Sequence, residues 1–260
     1  MDKMKTIKHL FPFTFCILNV AFATIIHIPE DYPTIQQGID AAFEGDTVLV
    51  VHGEYFENIQ WPSINGIKLI GSGYENTIIN GFNNGSVISI EATGIIDNTT
   101  VIKGFTIRNG LDGYGGGINC INSTPTLENL KVSNNQSFWG GGINFDDCVG
   151  VTLKNVIIVD NFCEVWGGGI FLNLSEIKIE DSEISSNYAI ERGGGICFLG
   201  GSELDLNNVK IKNNISTERG GGIYAESSDI TLTATDIIQN TATFGGGIYF
   251  YGHWNEVSFT

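Results

Sequence analysis

From about residue 105 onward, apolar and polar positions alternate in short bursts, and the bursts recur. Val151-Thr152-Leu153, Ile177-Lys178-Ile179, Leu204-Asp205-Leu206 and Ile230-Thr231-Leu232 occupy one equivalent place. Val156 to Ile158, Ile184, Val209-Lys210-Ile211 and Ile237 occupy a second. A period of two means strands with one buried face. Gly-Gly-Gly-Ile begins at Gly115, Gly140, Gly167, Gly193, Gly220 and Gly245, and its Ile opens a third strand. A second column, Asn109, Asn135, Asn161, Asn187, Asn214 and Asn240, keeps the same period of 26 to 27 residues. Two columns sharing one period define a repeat protein. A leucine-rich solenoid would need L-x-x-L-x-L-x-x-N, which does not occur. The pattern therefore predicts an all-β chain, a right-handed single-stranded parallel β-helix with three strands per coil and about eight coils, roughly 4.8 Å apart.

In such a coil equivalent residues stack. The inward columns are predicted to be Ile118, Ile143, Ile170, Ile196, Ile223 and Ile248, then Phe145, Leu172, Phe198 and Phe250, with a small-residue column of Ser137, Cys163, Ala189, Ser216 and Ala242. The Asn column is expected at a left-handed corner, its amides bonding along the axis. Residues 31–59 break the repeat. Thr34 can cap a short helix whose Ile35, Ile39 and Ala42 share one face, and Gly45-Asp46 then turns into a strand from Thr47. Such a helix would cover the open end of the first coil and its unpaired edge groups. The expected organisation is a signal peptide over 1–23, an N-terminal cap over 24–46 and β-helix repeats over 47–260, stopping partway through a coil as in a truncated chain.

Tyr32-Pro33-Thr34-Ile35-Gln36, Ile39-Asp40-Ala41-Ala42, Gly45-Asp46-Thr47-Val48 and Gly53-Glu54-Tyr55-Phe56-Glu57-Asn58-Ile59 resemble the entry to the pectin-lyase-like fold of pectin methylesterases and other secreted β-helix proteins. That resemblance covers about 30 residues and implies a fold, not an activity. The later coils resemble polymorphic outer membrane protein repeats, which carry a Gly-Gly-aliphatic motif and F-x-x-N. The first motif is present six times; the second takes an aliphatic form in Val132-x-x-Asn135, Ile158-x-x-Asn161, Ile184-x-x-Asn187, Ile211-x-x-Asn214 and Ile237-x-x-Asn240.

The first residues change the picture of location. Lys3, Lys5 and Lys8 precede an apolar stretch from Leu10 to Ala23 that ends in Ala21-Phe22-Ala23. It is short for a membrane span, which takes about 20 residues, and fits a cleaved secretory signal. Cys16 lies inside it. Removing three Lys and one Asp takes the net charge from −16 to −18. So acidic a chain argues against nucleic acid and anionic membranes. A secreted or cell-surface monomer without a transmembrane span in its mature form is expected. Cys120, Cys148, Cys163 and Cys197 show no metal-ligand spacing, fall in different columns and predict no designed disulfide.

Enzyme motifs are missing. The pectin methylesterase resemblance would imply Q-D-T-L and D-F-I-F-G, and polygalacturonases would bring N-T-D, G-H-G and R-I-K; Asp146-Asp147 and Gly252-His253-Trp254 lack those surroundings. Asp146-Asp147 reads as a solvated turn, and no Ser-His-Asp or Cys-His set can be assembled. No catalytic residue and no cofactor is assigned. Glu164, Glu191 and Glu218 recur 27 residues apart, with Arg192 and Arg219 beside them, which fits either a surface salt-bridge ladder or a Ca²⁺ site. The position before each glycine triplet reads Tyr114, Trp139, Trp166, Arg192, Arg219, Phe244, and an outward column after it includes Phe171, Tyr224 and Tyr249. Stacked aromatics and Arg would either brace the coils or form a platform for sugar rings. The sequence thus poses two functions: an adhesive or glycan-binding scaffold with a polysaccharide or cell-surface glycan as partner, or a carbohydrate-active enzyme, namely a polysaccharide lyase, pectin-type esterase or glycoside hydrolase.

Overall fold

The computed structural model describes residues 23–91, 96–252 and 256–259. The predicted signal segment through Phe22, and His253 and Trp254, lie outside the described residues. The chain winds as a parallel β-helix. A typical coil runs Val149–Lys154, Ile157–Val159, Phe162–Trp166, Ile170–Asn173, and the next begins at Glu176–Glu180. Each segment pairs in parallel with its equivalent one coil away. Four ladders result. Sheet 1 has ten strands, from Ile25–Ile28 to Val257–Phe259. Sheet 2 has eight, from Gly53–Phe56 to Asp236–Ile238. Sheet 3 has five, from Leu111–Tyr114 to Ile215–Ser216. Sheet 4 has eight, from Ile59–Gln60 to Ile248–Tyr251. Three long sheets were expected from the alternation; the short sheet 3, between sheets 2 and 4, was not.

The core is the coil interior. Ile88, Ile118, Ile143, Ile170, Ile196 and Ile223 are in register on sheet 4 and fully buried. Each contributes about 1.5–3 kcal/mol of burial. Leu127, Leu153, Ile179, Leu206 and Leu232 stack opposite on sheet 1. The helix Ile35–Ala41 forms as predicted. Thr34 Oγ1 accepts the Gln37 N–H, and the Glu57 carboxylate accepts from Ile35 and Gln36, each at 2.9 Å. Orphan first-turn donors are thereby satisfied. Ile35 and Ile39 are buried in the core.

The Asn column is real, but its geometry corrects the sequence reading twice. First, Asn135, Asn161, Asn187 and Asn214 are buried, and neither they nor Asn240 take the left-handed conformation. The residue before each does: Asn134, Asp160, Ser186, Asn213 and Gln239, at φ 55–56°. Second, Asn109 belongs with those corner residues, at φ 57°, and Gly110 takes the column position, its N–H donating to Asn135 Oδ1. Within the column each Nδ2 donates to the next Oδ1 at 3.0 Å, from Asn135 to Asn161, Asn187, Asn214 and Asn240. The same oxygens also accept the backbone N–H of the preceding Asn, and each Nδ2 reaches a strand carbonyl such as Val132 or Ile158. The buried amides are therefore fully used.

The cysteine reading also needs correction. Columns alone placed no two as neighbours, yet Cys120 Sγ and Cys148 Sγ lie 3.7 Å apart, both thiols free. Cys120 lies on the sheet 4 strand Ile118–Ile121, and Cys148 at the corner between sheets 4 and 1 one coil later.

Candidate functional site

From Leu111 onward, the coils pass from sheet 3 to sheet 4 through a glycine triplet. The first glycine is left-handed, at φ 64° for Gly193. At the second, a Cβ on Gly194 would lie 2.4 Å from the Ile215 carbonyl oxygen and 2.5 Å from that of Gly221. Only glycine permits this approach of neighbouring coils.

The turn lays the residue before the glycines back over the outward column of sheet 4. Outward does not mean exposed here. Phe171, Cys197 and Tyr224 form a second small apolar cluster, packed from outside by Trp139, Trp166, Leu199 and Tyr249. The Arg192 guanidinium lies 5.0 Å from the Trp166 ring centre and 5.1 Å from that of Tyr224. Arg219 sits 5.5 Å from the Tyr249 ring centre. Tyr224 stacks on Tyr249 at 5.7 Å, and Tyr114 on Trp139 at 4.8 Å. Polar edges are held too. Tyr224 OH donates to Glu226 at 2.9 Å and accepts from Arg192, which also pairs with Glu226 at 3.2 Å. Burial, then the bond to Glu226, raises the Tyr224 phenol well above its ordinary range. Trp166 Nε1 donates to Glu191 at 3.0 Å.

The predicted platform thus divides. Phe171 and Tyr224 lie beneath the row and offer no open face. Trp139, Trp166, Arg192, Arg219 and Tyr249 are half-buried, while Tyr114 and Phe244 are exposed at 48% and 58%. Rings stacked at coil spacing turn their faces to one another and their edges to solvent. Glu191 is engaged by Trp166, and its backbone N–H bonds Val165 rather than Glu164, so the glutamates do not form one aligned stack. Among the described residues, no group of three or more His, Cys, Asp or Glu is placed to hold a metal ion. Asp147 lies in a left-handed turn and Asp146 accepts from Asn173 Nδ2.

Sequence reasoning missed the outer face of sheet 3. Gln136, Phe162, Tyr188 and Ile215 form its first outward column, and Phe162 stacks on Tyr188 at 5.7 Å. Phe138 and Ile190 continue the face, 47% and 41% exposed. The signal was present: each column residue directly follows a ladder Asn. With the row before the glycines they form a flank rich in aromatic and Arg side chains, an aromatic ridge interrupted by Gln136, Ile190 and Ile215.

A different surface lies on sheet 1. A groove of about 670 Å³ crosses its outer face, lined by Thr152, Lys178, Asp205 and Thr231 and bordered by Glu176, Glu203, Asp229 and Glu256. Glu176, Glu203 and Asp229 are direct register partners. Lys178 is held by Glu180 at 2.7 Å rather than by that border.

These features define a β-solenoid with one covered and one open flank. The chain belongs to the family described as right handed beta helix region, whose model matches residues 45–211. Residues 208–226 also match the Chlamydia polymorphic membrane protein repeat. Among solved structures it is similar to pectin methylesterase PemA from Erwinia chrysanthemi, at 10% identity over 88% of this chain and 80% of that one, with a TM-score of 0.52. Escherichia coli ybhc gives 10% identity over 99% and 87%, with a TM-score of 0.50. At such identities the likeness is one of fold. None of the curated proteins matches the chain. No helix among the described residues is long and apolar enough to cross a membrane.

Proposed function

We propose that this chain is a secreted or cell-surface scaffold that binds an extended glycan along the aromatic ridge. One observation supports this most: aromatic and Arg side chains from successive coils line one flank in register, from Tyr114 and Trp139 through Trp166, Arg192 and Arg219 to Phe244. A ligand running along the axis would meet one such group per coil. Tyr114, Phe138 and Phe244 keep open ring surface for sugars, and Arg192 and Arg219 can bond hydroxyls. The net charge of −16 would repel a polyanion, so the ligand is a neutral glycan, or an acidic one bridged by Ca²⁺. The mature protein starts after Ala23 and acts as a monomer. A glycan array with the wild type should give hits, and the pair Trp139→Ala with Trp166→Ala should weaken them by about 1–3 kcal/mol with unchanged far-UV circular dichroism. No hits, or equal binding by the double variant, would leave the ridge as bracing alone.

A second reading has one specific support. The sheet 1 groove gathers Glu176, Glu203, Asp205 and Asp229, carboxylates of the kind that hydrolytic sugar chemistry uses. Release of methanol or reducing ends from pectin, abolished in Glu203→Gln, would favour a carbohydrate-active enzyme; inert wild-type protein rejects it.

A further inference from the structure

Two columns break at the same place in the helix. On sheet 4 the second inward column reads Ile90, Cys120, Phe145, Leu172, Phe198, Ala225. At the next corner a buried hydroxyl ladder runs through Ser175, Ser202 and Ser228, each Oγ accepting the N–H of its equivalent in the preceding coil. Cys148 occupies this ladder, its N–H donating to Ser175 Oγ at 3.1 Å. One coil therefore has a thiol where its neighbours have a bulky apolar group, and the next has a thiol where its neighbours have a hydroxyl. The two exceptions touch, Sγ to Sγ at 3.7 Å, and both are buried. Cys148 Sγ also lies 3.3 Å from the carbonyl oxygens of Cys120 and Asp146. By contrast, Cys163 Sγ is directed to the carbonyls of Phe138 and Trp166, at 2.9 and 3.0 Å.

We propose that Cys120 and Cys148 are a latent cross-linking site, which closes to a disulfide with a small-molecule disulfide oxidant and ties two neighbouring coils covalently. The sulfurs need to approach from 3.7 Å to about 2.05 Å. Contact with Cys120 lowers the pKa of Cys148, whereas burial, then the same contact, raises that of Cys120, which favours Cys148 as the first to attack. The Cys148 thiolate displaces one thiol from the oxidant and forms a mixed disulfide. Cys120, deprotonated, then attacks Cys148 Sγ and expels the second thiol. Two protein thiols and one oxidant disulfide thus give one protein disulfide and two small thiols, with no net loss of electrons or protons.

The test uses the full chain. It is refolded from urea in glutathione and glutathione disulfide, unfolded without reductant, alkylated and peptide-mapped. The expected map shows a Cys120–Cys148 linked peptide, with Cys163 and Cys197 alkylated. The oxidised sample should melt at a higher temperature than a dithiothreitol-reduced one, and Cys148→Ser should abolish that difference. Five alkylated cysteines from the oxidising buffer, or a link that includes Cys163 or Cys197, would overturn the proposal.

Discussion

The outer surfaces of sheets 4 and 1 are built by the same alternation and end in opposite states. On sheet 4 the outward column is roofed by the residues that precede the glycine triplets, so Phe171, Cys197 and Tyr224 are as buried as a core. On sheet 1 the equivalent column, Thr152, Lys178, Asp205 and Thr231, lines an open polar groove. The roof depends on the glycine triplets, which fold the preceding residue back across the sheet. No such turn borders sheet 1. In a solenoid, then, strand alternation decides which side of the wall a residue takes, while the corner decides whether that side meets water.

Variants can break or sharpen this contrast. The largest effect is expected from Gly194→Ala. Its Cβ would collide with backbone carbonyls from two neighbouring positions. A loss above about 4 kcal/mol in urea unfolding, or failure to fold, is expected; near-wild-type stability would show that the turn can relax and that the roof is not fixed by it. Next comes Tyr224→Ala, which empties the centre of the roofed cluster and strips Arg192 of a ring and a hydroxyl partner. About 3–5 kcal/mol should be lost.

The phenol itself gives an alkaline signature. Its folded pKa is raised, so its contribution is fully present below pH 10, the ordinary phenol value, and fades as pH climbs from there toward the folded value. Above that pH the wild type should lose about 1.4 kcal/mol per unit more than Tyr224→Phe. Parallel pH profiles of the two proteins would show that the ring is not sealed. The smallest change is predicted on the open flank. Glu203→Lys places a cation between Glu176 and Asp229 in the acid border and should stabilise by less than about 1 kcal/mol, an effect erased by high salt.

How much of this could be read in the chain follows from the same distinction. Period-two alternation and two columns at one period specified coils and inward ladders, and the apolar face behind Thr34 specified the capping helix, because those depend on nearest-neighbour geometry. Asn161 was recognised as a ladder residue, but the left-handed corner belongs to Asp160; both lie at the bend, and residue type alone does not separate an amide that stacks from a residue that turns. Sheet 3 was absorbed into its neighbours because its strands are short, as in Tyr188–Ala189 and Ile215–Ser216. The burial of Tyr224 was hidden because its cover, Arg192, comes from an earlier coil and crosses a turn whose path the pattern does not encode. Cys120 and Cys148 met for a like reason: a corner brings different columns together.

The asparagine ladder has an electrical consequence. Between ladder amides, every side chain from Asn135 to Asn214 donates one proton toward higher residue numbers and accepts from lower ones, its second proton going to a strand carbonyl. The amide dipoles therefore point one way and reinforce one another in single file, as peptide dipoles do in an α-helix, but strung between coils. Such a file has a head and a tail: one end seeks a donor, the other an acceptor. A coil can join it in one orientation only, and an apolar residue in the middle, as in Asn187→Leu, would leave two short files in place of one long one.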